Sequence, residues 1–357
     1  MAIEATAINQ DRLDALMGQV IGELGATVNA GLIVLGDRLG LYRAMAGAGP
    51  IRPSELAERT GTAERYVREW LNAQAAGGLV EYDPVGERYV LPAEQAMALA
   101  DEDSPAFVGG AFQFALATLK AVDRIESAFR NGTGMGWHEH DEGVPIGCER
   151  FFRPGYNANL VSAWLPALDG VVGKLRTGAI VADIGCGLGA STRLMAQAYP
   201  NSTFTGFDYH TESIHLAREE ARAAGLDGKT RFEIAPAAGF PGTGYDLVTT
   251  FDSLHDMGDP VGAARHVLNA LAPDGTWMIV EPIAGDRVDQ NLNPVGRAYY
   301  SFSTFLCTPS SLSQEVGLAL GAQAGEARIR DVTRAAGFTR FRRVAETPLN
   351  AVYEVRL

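Results

Sequence analysis

Two short stretches of this 357-residue chain hold residue types whose chemistry could be combined. The first is Leu254-His255-Asp256. Imidazole titrates close to neutrality, so a histidine can take a proton from a hydroxyl or an amine as that atom attacks an electrophile. A carboxylate beside the ring can fix its tautomer and stabilise the imidazolium. Asp256 is adjacent, and Glu281, in Val280-Glu281-Pro282, could orient or line the substrate. The second stretch is Val181-Ala182-Asp183-Ile184-Gly185-Cys186-Gly187-Leu188-Gly189. Glycines between a strand and a helix let the backbone turn sharply and approach a ligand closely.

The glycine spacing separates this loop from a dinucleotide fingerprint. It reads G-C-G-L-G, not G-x-G-x-x-G, so no pyrophosphate cradle is specified. Asp183 precedes the first glycine by two residues, and Phe204-Thr205-Gly206-Phe207-Asp208 ends the next strand in an acid placed to accept both hydroxyls of a ribose. Cys186 reads as small filling within the loop. His255 has two further readings: packing beneath a ligand, with catalysis by proximity alone, or metal ligation together with Asp256. The second needs a third ligand. Cys307 or the Trp137-His138-Glu139-His140-Asp141 loop could supply one only through the fold, so no metal site is assigned, and that loop reads as a solvated connection or a lid.

The elements that must position these residues follow from periodicity. Leu13, Leu16, Met17, Val20, Ile21, Leu24 and Val28 recur at three- and four-residue spacings, predicting one helix, with a second over residues 32–46. Pro53 opens a helix over 53–59, Thr62 is placed to cap another over 63–76, and strands at 79–82 and 88–91 make a short hairpin. That is winged-helix order. Helices are expected over 106–130 and 152–174, with a polar loop over 131–147. Strands are expected at 179–184, 203–208, 230–235, 245–251, 277–281, 341–345 and 351–355. Alternation with helices implies a parallel sheet, and the short link between the last two strands makes them pair antiparallel. The expected organisation is therefore a winged-helix and dimerisation domain over 1–100, a helical linker and cover over 101–174, and an α/β domain over 175–357. Within the last, 283–325 is a substrate-cap insertion whose Tyr299, Tyr300, Phe302 and Phe305 suit an apolar pocket.

A net charge of −13 argues against a general nucleic-acid binder. Residues 1–100 carry eight Arg and no Lys against thirteen Asp plus Glu, so the winged-helix region is itself acidic. The three cysteines are far apart and form neither a disulfide framework nor a zinc spacing. No uninterrupted apolar run approaches the roughly 20 residues of a membrane helix, and the N-terminus lacks the pattern of a signal peptide. A reducing cytoplasm is the expected location, with no membrane partner.

Across residues 179–281 the order and spacing of these motifs resemble the class I S-adenosylmethionine-dependent methyltransferases. The resemblance implies a Rossmann-like seven-stranded sheet with its last strand antiparallel, and S-adenosyl-L-methionine as cofactor. It places the backbone of Gly185, Gly187 and Gly189 against the methionine part, with Cys186 between them, and brings Asp183 to its amino group. Asp208 would bind the ribose and Tyr209 cover the adenine. Ala237 stands where such enzymes often have an acid for the adenine amino group, so adenine is expected to meet backbone there. Phe251 and Asp252, at the end of the fourth strand, complete the cofactor side. Leu254-His255-Asp256 is similar to the Leu-His-Asp segment of small-molecule O-methyltransferases, in which the histidine is the general base and an N-terminal winged helix makes a homodimer. This implies methyl transfer to a small molecule, with an oxygen acceptor and His255, Asp256 and Glu281 as the catalytic group. Two alternatives are a winged-helix DNA-binding regulator that senses the cofactor and a metal-assisted C-methyltransferase acting on a 2-oxo acid.

Overall fold

The computed structural model describes residues 8–357. The chain forms two compact units, one ending at Leu116 and the other spanning Ala117–Leu357.

In the first unit the apolar stripe lies on one long helix, Gln10–Arg38, where two had been expected. Gly31 lies inside this helix and does not break it, because one glycine costs a helix only about 1 kcal/mol. The break comes at Gly40, whose φ of 69° is left-handed, before the short helix Leu41–Met45. Asn9 caps the long helix by accepting the Arg12 amide at 3.0 Å. The winged-helix order is present: helices Pro53–Thr60 and Glu64–Ala76, then strands β1 (Glu81–Asp83) and β2 (Arg88–Val90) paired antiparallel. Thr62 is not the cap of the second of these helices. Ala63 occupies that position, and the Thr62 hydroxyl bonds the Thr60 hydroxyl at 2.8 Å.

Leu56, Val67, Trp70 and Leu71 bury the helical faces against Ile33, Tyr42 and Tyr89. Polar atoms inside this core are paired. Tyr42 donates to Gln74 Oε1 at 2.6 Å, Gln74 donates to Asn29 at 2.8 Å, and Trp70 Nε1 donates to the Leu32 carbonyl at 2.8 Å. The outer stripe of the long helix, by contrast, is exposed: Leu16, Val20, Ile21, Leu24 and Val28. By length and composition alone this helix is apolar enough to cross a membrane, with a mean hydropathy of 1.3 over eighteen residues, although no single apolar run in the sequence is that long.

The second unit holds a seven-stranded sheet. Its strands are β3 (Ile180–Ile184), β4 (Thr203–Asp208), β5 (Thr230–Ile234), β6 (Tyr245–Phe251), β7 (Leu271–Pro282), β8 (Arg340–Glu346) and β9 (Asn350–Arg356). They lie in the order β5-β4-β3-β6-β7-β9-β8. Pairing is parallel from β5 to β7, and β9 runs antiparallel to both β7 and β8. This is the expected Rossmann-like sheet. Helices cover both faces, so the central strands are mostly apolar: Val181, Ile184, Phe204, Phe207, Val248 and Trp277 to Val280 are buried.

Chain order reverses between β3 and β6, which opens a crevice at the carboxyl ends of β3, β4 and β6. The segment before the sheet differs from its expected form. Residues 106–130 make two helices, Gly109–Leu119 and Val122–Asn131. A helix already runs over Gly143–Asn159, where a loop had been expected up to 147, since Pro145 falls in the first turn, where its missing N–H costs nothing. It continues as one π-turn, Leu160–Trp164, and a 3-10 turn, Leu165–Ala167, that accommodates Pro166.

Candidate active site

The glycine loop leaves β3 with three left-handed residues: Gly185 at φ 70°, Gly187 at 51° and Gly189 at 75°. They do different work. A Cβ on Gly185 would sit 2.7 Å from Ser253 Oγ, and one on Gly189 would sit 2.4 Å from the Phe232 ring, so both allow close packing. A Cβ on Gly187 would meet nothing within 4 Å, because that residue faces open space. The space is a cavity of about 450 Å³ walled by Gly185, Cys186, Gly187, Asp208, Tyr209 and Ala237 on one side. Phe251, Asp252 and Asp256 line it at the end of β6. Gly189 lies behind the loop and opens the helix Ala190–Ala198.

Asp183 also lies behind the loop, not in the cavity wall where the amino-group contact had placed it. It is fully buried, and its carboxylate accepts the hydroxyls of Ser191 at 2.7 Å, Thr192 at 2.6 Å and Thr249 at 2.8 Å. A buried carboxylate must be hydrogen-bonded to avoid a large desolvation cost, and these three donors tie β3 to the following helix and to β6. Asp208, the last residue of β4, does face the cavity. It accepts the Gly187 amide at 2.9 Å and the His210 amide at 2.8 Å, which orients its oxygens. Burial pushes its pKa up against these bonds.

At the end of β6, Asp252 adopts φ 48°, a left-handed conformation rare outside glycine. Its carboxyl accepts Tyr156 Oη at 2.9 Å and Asn350 Nδ2 at 2.7 Å. Burial, reinforced by the nearby Glu281, raises its pKa from 3.8 to about 8. The next turn, Leu254–Asp256, carries His255. Glu281, near the end of β7, reaches it from the neighbouring strand: one oxygen accepts the Leu254 amide at 3.0 Å and the other pairs with His255 Nδ1 at 2.5 Å. Glu281 thus holds the tautomer, the part the sequence suggested for the adjacent Asp256.

Asp256 stands on the other side of the ring, with Oδ1 3.2 Å from Nε2 but off the hydrogen-bonding direction, so this buried oxygen has no hydrogen-bond partner. Burial opposes charge on His255, yet the carboxylates of Glu281 and Asp256 outweigh it and hold the imidazole well above its usual pKa. Burial raises Asp256 as well, against the pull of His255. Cys307, at the end of the π-turn Ser303–Cys307, joins this group: a His255 nitrogen, an Asp256 oxygen and the Cys307 sulfur lie within 4.8 Å of one another.

The far wall differs from expectation. Tyr299 donates to the Leu349 carbonyl at 2.9 Å, Tyr300 borders a second cavity beside Gln323, and Phe305 packs on Ala121, Ile125 and Met135. Instead the 283–325 segment presents Ser310, Gln314 and Glu315 to the main cavity. Gln314 is pinned there by donating to the Asp256 carbonyl at 3.0 Å and accepting the Gly258 amide at 3.0 Å. Phe152 and Tyr156, stacked at 6.1 Å one helical turn apart, line the cavity together with Cys148 and Met257. Trp137 lines it too, so its loop is no solvated connection. His140 in that loop has both ring nitrogens buried and unpartnered, and burial lowers its pKa to about 4.

A doubly covered parallel sheet, a glycine loop after its first strand and an acid ending its second define the class I, Rossmann-like methyltransferase fold. Residues 175–315 match the methyltransferase-domain family, and residues 27–101 match the Rv2258c-like winged HTH domain. The chain thus carries a methyltransferase domain preceded by an N-terminal winged-helix domain. It is 30% identical over 151 residues to 27-O-demethylrifamycin SV methyltransferase of Amycolatopsis mediterranei, a match covering 40% of this chain and 55% of that protein. The first curated relatives are matched over only 38% to 55% of their own lengths. Among solved structures, mitomycin 7-O-methyltransferase MmcR superposes with a TM-score of 0.69 at 20% identity, covering 98% of this chain and 100% of that one. Human N-acetylserotonin methyltransferase in complex with SAM superposes with a TM-score of 0.70 at 15% identity, covering 99% of each chain. At these identities the two structures share the fold.

The carboxyl of Asp252 gives this site a measurable pH signature. Its contribution to stability is full below about pH 4 and is lost as pH rises through the folded value of about 8, because the unfolded chain releases the proton first. Asp252→Asn removes that titration. Thermal melts of the ligand-free protein between pH 5 and pH 8 should therefore fall less steeply in the variant than in the wild type. Parallel pH profiles would show that the residue is ionised throughout.

Proposed function

We propose that the chain transfers the methyl group of S-adenosylmethionine to a hydroxyl oxygen of a small molecule. The observation that carries this reading is the buried Glu281–His255 pair, which lies behind Asp256, a residue of the cavity wall, with the ring's Nε2 on the side of that residue. The residues present fit the cofactor. Gly187 leaves its side-chain direction open to the cavity, and the half-buried carboxylate of Asp208 is oriented by two amides. In this reading the backbone of Gly185, Cys186 and Gly187, with Phe251 and Asp252, holds the methionine part, and Asp208 takes the ribose hydroxyls. Tyr209 and Ala237 bound the adenine, and Asp183 and Gly189 support the loop from behind. When bound, the cofactor supplies an electrophilic methyl on a sulfonium sulfur.

The protein's own residues then manage one proton. His255 Nε2 accepts it from the acceptor hydroxyl as the new O–C bond forms, and the carboxylates of Glu281 and Asp256 stabilise the resulting imidazolium. The same carboxylates hold a proton on the ring beforehand, which must leave before each cycle; a cation bound in the cavity lowers that barrier by disfavouring a second positive charge nearby. Trp137, Phe152 and Met257 enclose an acceptor of small-molecule size. DNA sensing is the weaker alternative. On the helix Glu64–Ala76, Arg65 and Arg68 are each paired with a glutamate one turn away, which leaves little positive charge for phosphates.

The exposed apolar stripe of the helix Gln10–Arg38 is assigned to a second copy of the chain, with Leu24 at 60% exposure and Val28 at 66% in the single chain. A homodimer would cover it.

Three measurements check these assignments. S-adenosylhomocysteine should bind in calorimetry, and Asp208→Ala should weaken it roughly 10- to 100-fold, the range for bonds to a charged group. No binding by the wild type would remove the cofactor reading. His255→Ala should keep that affinity and lower turnover about 10²- to 10⁴-fold, the usual share of a general base; an unchanged rate would leave His255 as packing. Analytical ultracentrifugation should find the wild type dimeric and the Leu16→Glu, Leu24→Glu double variant monomeric. A monomeric wild type at micromolar concentration would end the dimer assignment.

A further inference from the structure

One group of side chains around the proposed base has more donors than proton transfer needs. His255 Nε2, an Asp256 carboxylate oxygen and Cys307 Sγ converge from two separate segments of the chain, a 3-10 turn after β6 and a π-turn after residue 302. π-turns are rare and mark places where a helix has been re-aimed, often at functional sites. The Asp256 oxygen is buried without a hydrogen-bond partner, a state that structures avoid unless a bound water or ion satisfies the atom. It lies 3.2 Å from Nε2 without hydrogen-bond alignment. Two ligand atoms about 2.0–2.1 Å from a tetrahedral zinc ion stand about 3.3 Å apart, so the separation is that of neighbouring ligands.

Behind the ring, Nδ1 is held by Glu281 at 2.5 Å. A carboxylate in that place fixes which nitrogen a metal meets and raises its basicity. Asp256 also lines the cavity, so one side chain separates the cluster from that open space.

We propose that His255, Asp256 and Cys307 form a binding site for a borderline-soft divalent cation of the zinc type, backed by Glu281 and bordered on the cavity side by Asp256. The donor set of one imidazole nitrogen, one carboxylate oxygen and one thiolate suits zinc or cobalt(II) and disfavours magnesium and calcium, which take oxygen ligands. Binding sends the Nε2 proton and the thiol proton to solvent and changes no covalent bond to carbon. The ion uses the lone pair that the proposed base would use. Metal occupancy and proton abstraction by His255 therefore exclude one another, and zinc acts on this enzyme as an inhibitor.

The test is spectroscopic and independent of methyl transfer. Full-length protein, freed of metal with a chelator and dialysed, is titrated with cobalt(II). The expected result is one equivalent bound, with visible d–d bands of a tetrahedral site and a near-ultraviolet thiolate-to-cobalt absorption. Cys307→Ser should abolish that absorption and weaken cobalt binding by at least about tenfold, the floor for disturbing even the outer shell of a metal site. Asp256→Asn should weaken binding similarly and keep the thiolate band. S-adenosylhomocysteine affinity, measured on the same samples, reports that each variant is folded. A wild type that shows no thiolate band, or a band that persists in Cys307→Ser, overturns the site. Failure of S-adenosylhomocysteine to bind a wild type that takes up cobalt would overturn the cofactor reading and leave the metal site standing.

Discussion

Four carboxyl groups stand along one edge of one sheet, Asp183 and Glu281 buried and Asp208 and Asp252 half-buried, and the second unit is organised by how each is satisfied. Burying a carboxylate without partners costs several kcal/mol or forces it to take a proton. Asp183, at the end of β3, is bonded by hydroxyls from the next helix and from β6. Asp208, on β4, is bonded by amides of the glycine loop and of the segment after β4. Asp252, after β6, is bonded by Tyr156 from the covering helix and Asn350 from β9. Glu281, on β7, is bonded by the turn after β6. Every partner set comes from a different segment, so the satisfaction of these acids is also what stitches the crevice together.

The acids nonetheless end in different states because their partners differ. Burial raises all three aspartates; three and two donors oppose the rise at Asp183 and Asp208, whereas at Asp252, also with two donors, the nearby Glu281 adds to burial and the value reaches about 8. Glu281 faces a histidine, and an imidazolium between two carboxylates is the least costly way to keep that charge buried. A site intended to hold a cationic cofactor benefits from this arrangement, since a positive ligand lets raised carboxyls ionise without leaving an unpaired charge. The cavity is thus prepared for positive charge by the same burial that strains the ligand-free fold.

Much of this was legible in the sequence, for local reasons. Strands 203–208 and 245–251 were read at the observed bounds because apolar runs flanked by turn residues leave little freedom in a parallel sheet. The glycine loop and Asp208 share one cavity wall, a placement legible because a turn after one strand and an acid ending the next need only adjacent backbone geometry. Reading failed where a contact joins distant segments. Nothing in the spacing of Glu281 says that it, and not the adjacent Asp256, bonds Nδ1, since only the β6–β7 pairing brings position 281 beside the turn at 254–256. Asp183 looked like a ligand contact because strand-end acids often are, and the hydroxyls of Ser191, Thr192 and Thr249 that occupy it carry no pattern of their own. Cys307 and Gln314 reached the site through a π-turn and a loop whose course no periodicity encodes. The aromatic run near residue 300 carried a strong apolar signal and was spent on packing, with only Ser310, Gln314 and Glu315 of that segment left facing the cavity.

The left-handed backbone of Asp252 follows from the same geometry. At the end of β6 the chain must turn at once if His255 is to come back beneath Glu281 on the neighbouring strand. The Asp252 amide still donates to the Val280 carbonyl at 2.8 Å, so the ladder is kept for one residue beyond the strand and the reversal falls on Asp252 itself. Aspartate is one of the few residues that tolerates this conformation, and here its carboxyl is held on both sides, by Tyr156 and Asn350. A non-glycine residue held at positive φ costs of order 1–3 kcal/mol, and such strain persists only where surrounding contacts over-determine it. Glycine would relieve the strain but would leave Tyr156 and Asn350 without their shared partner, loosening both the covering helix and β9 against the site. The strain at Asp252 is therefore the local cost of placing an imidazole, rather than more of β6, behind the cavity wall formed by Asp256.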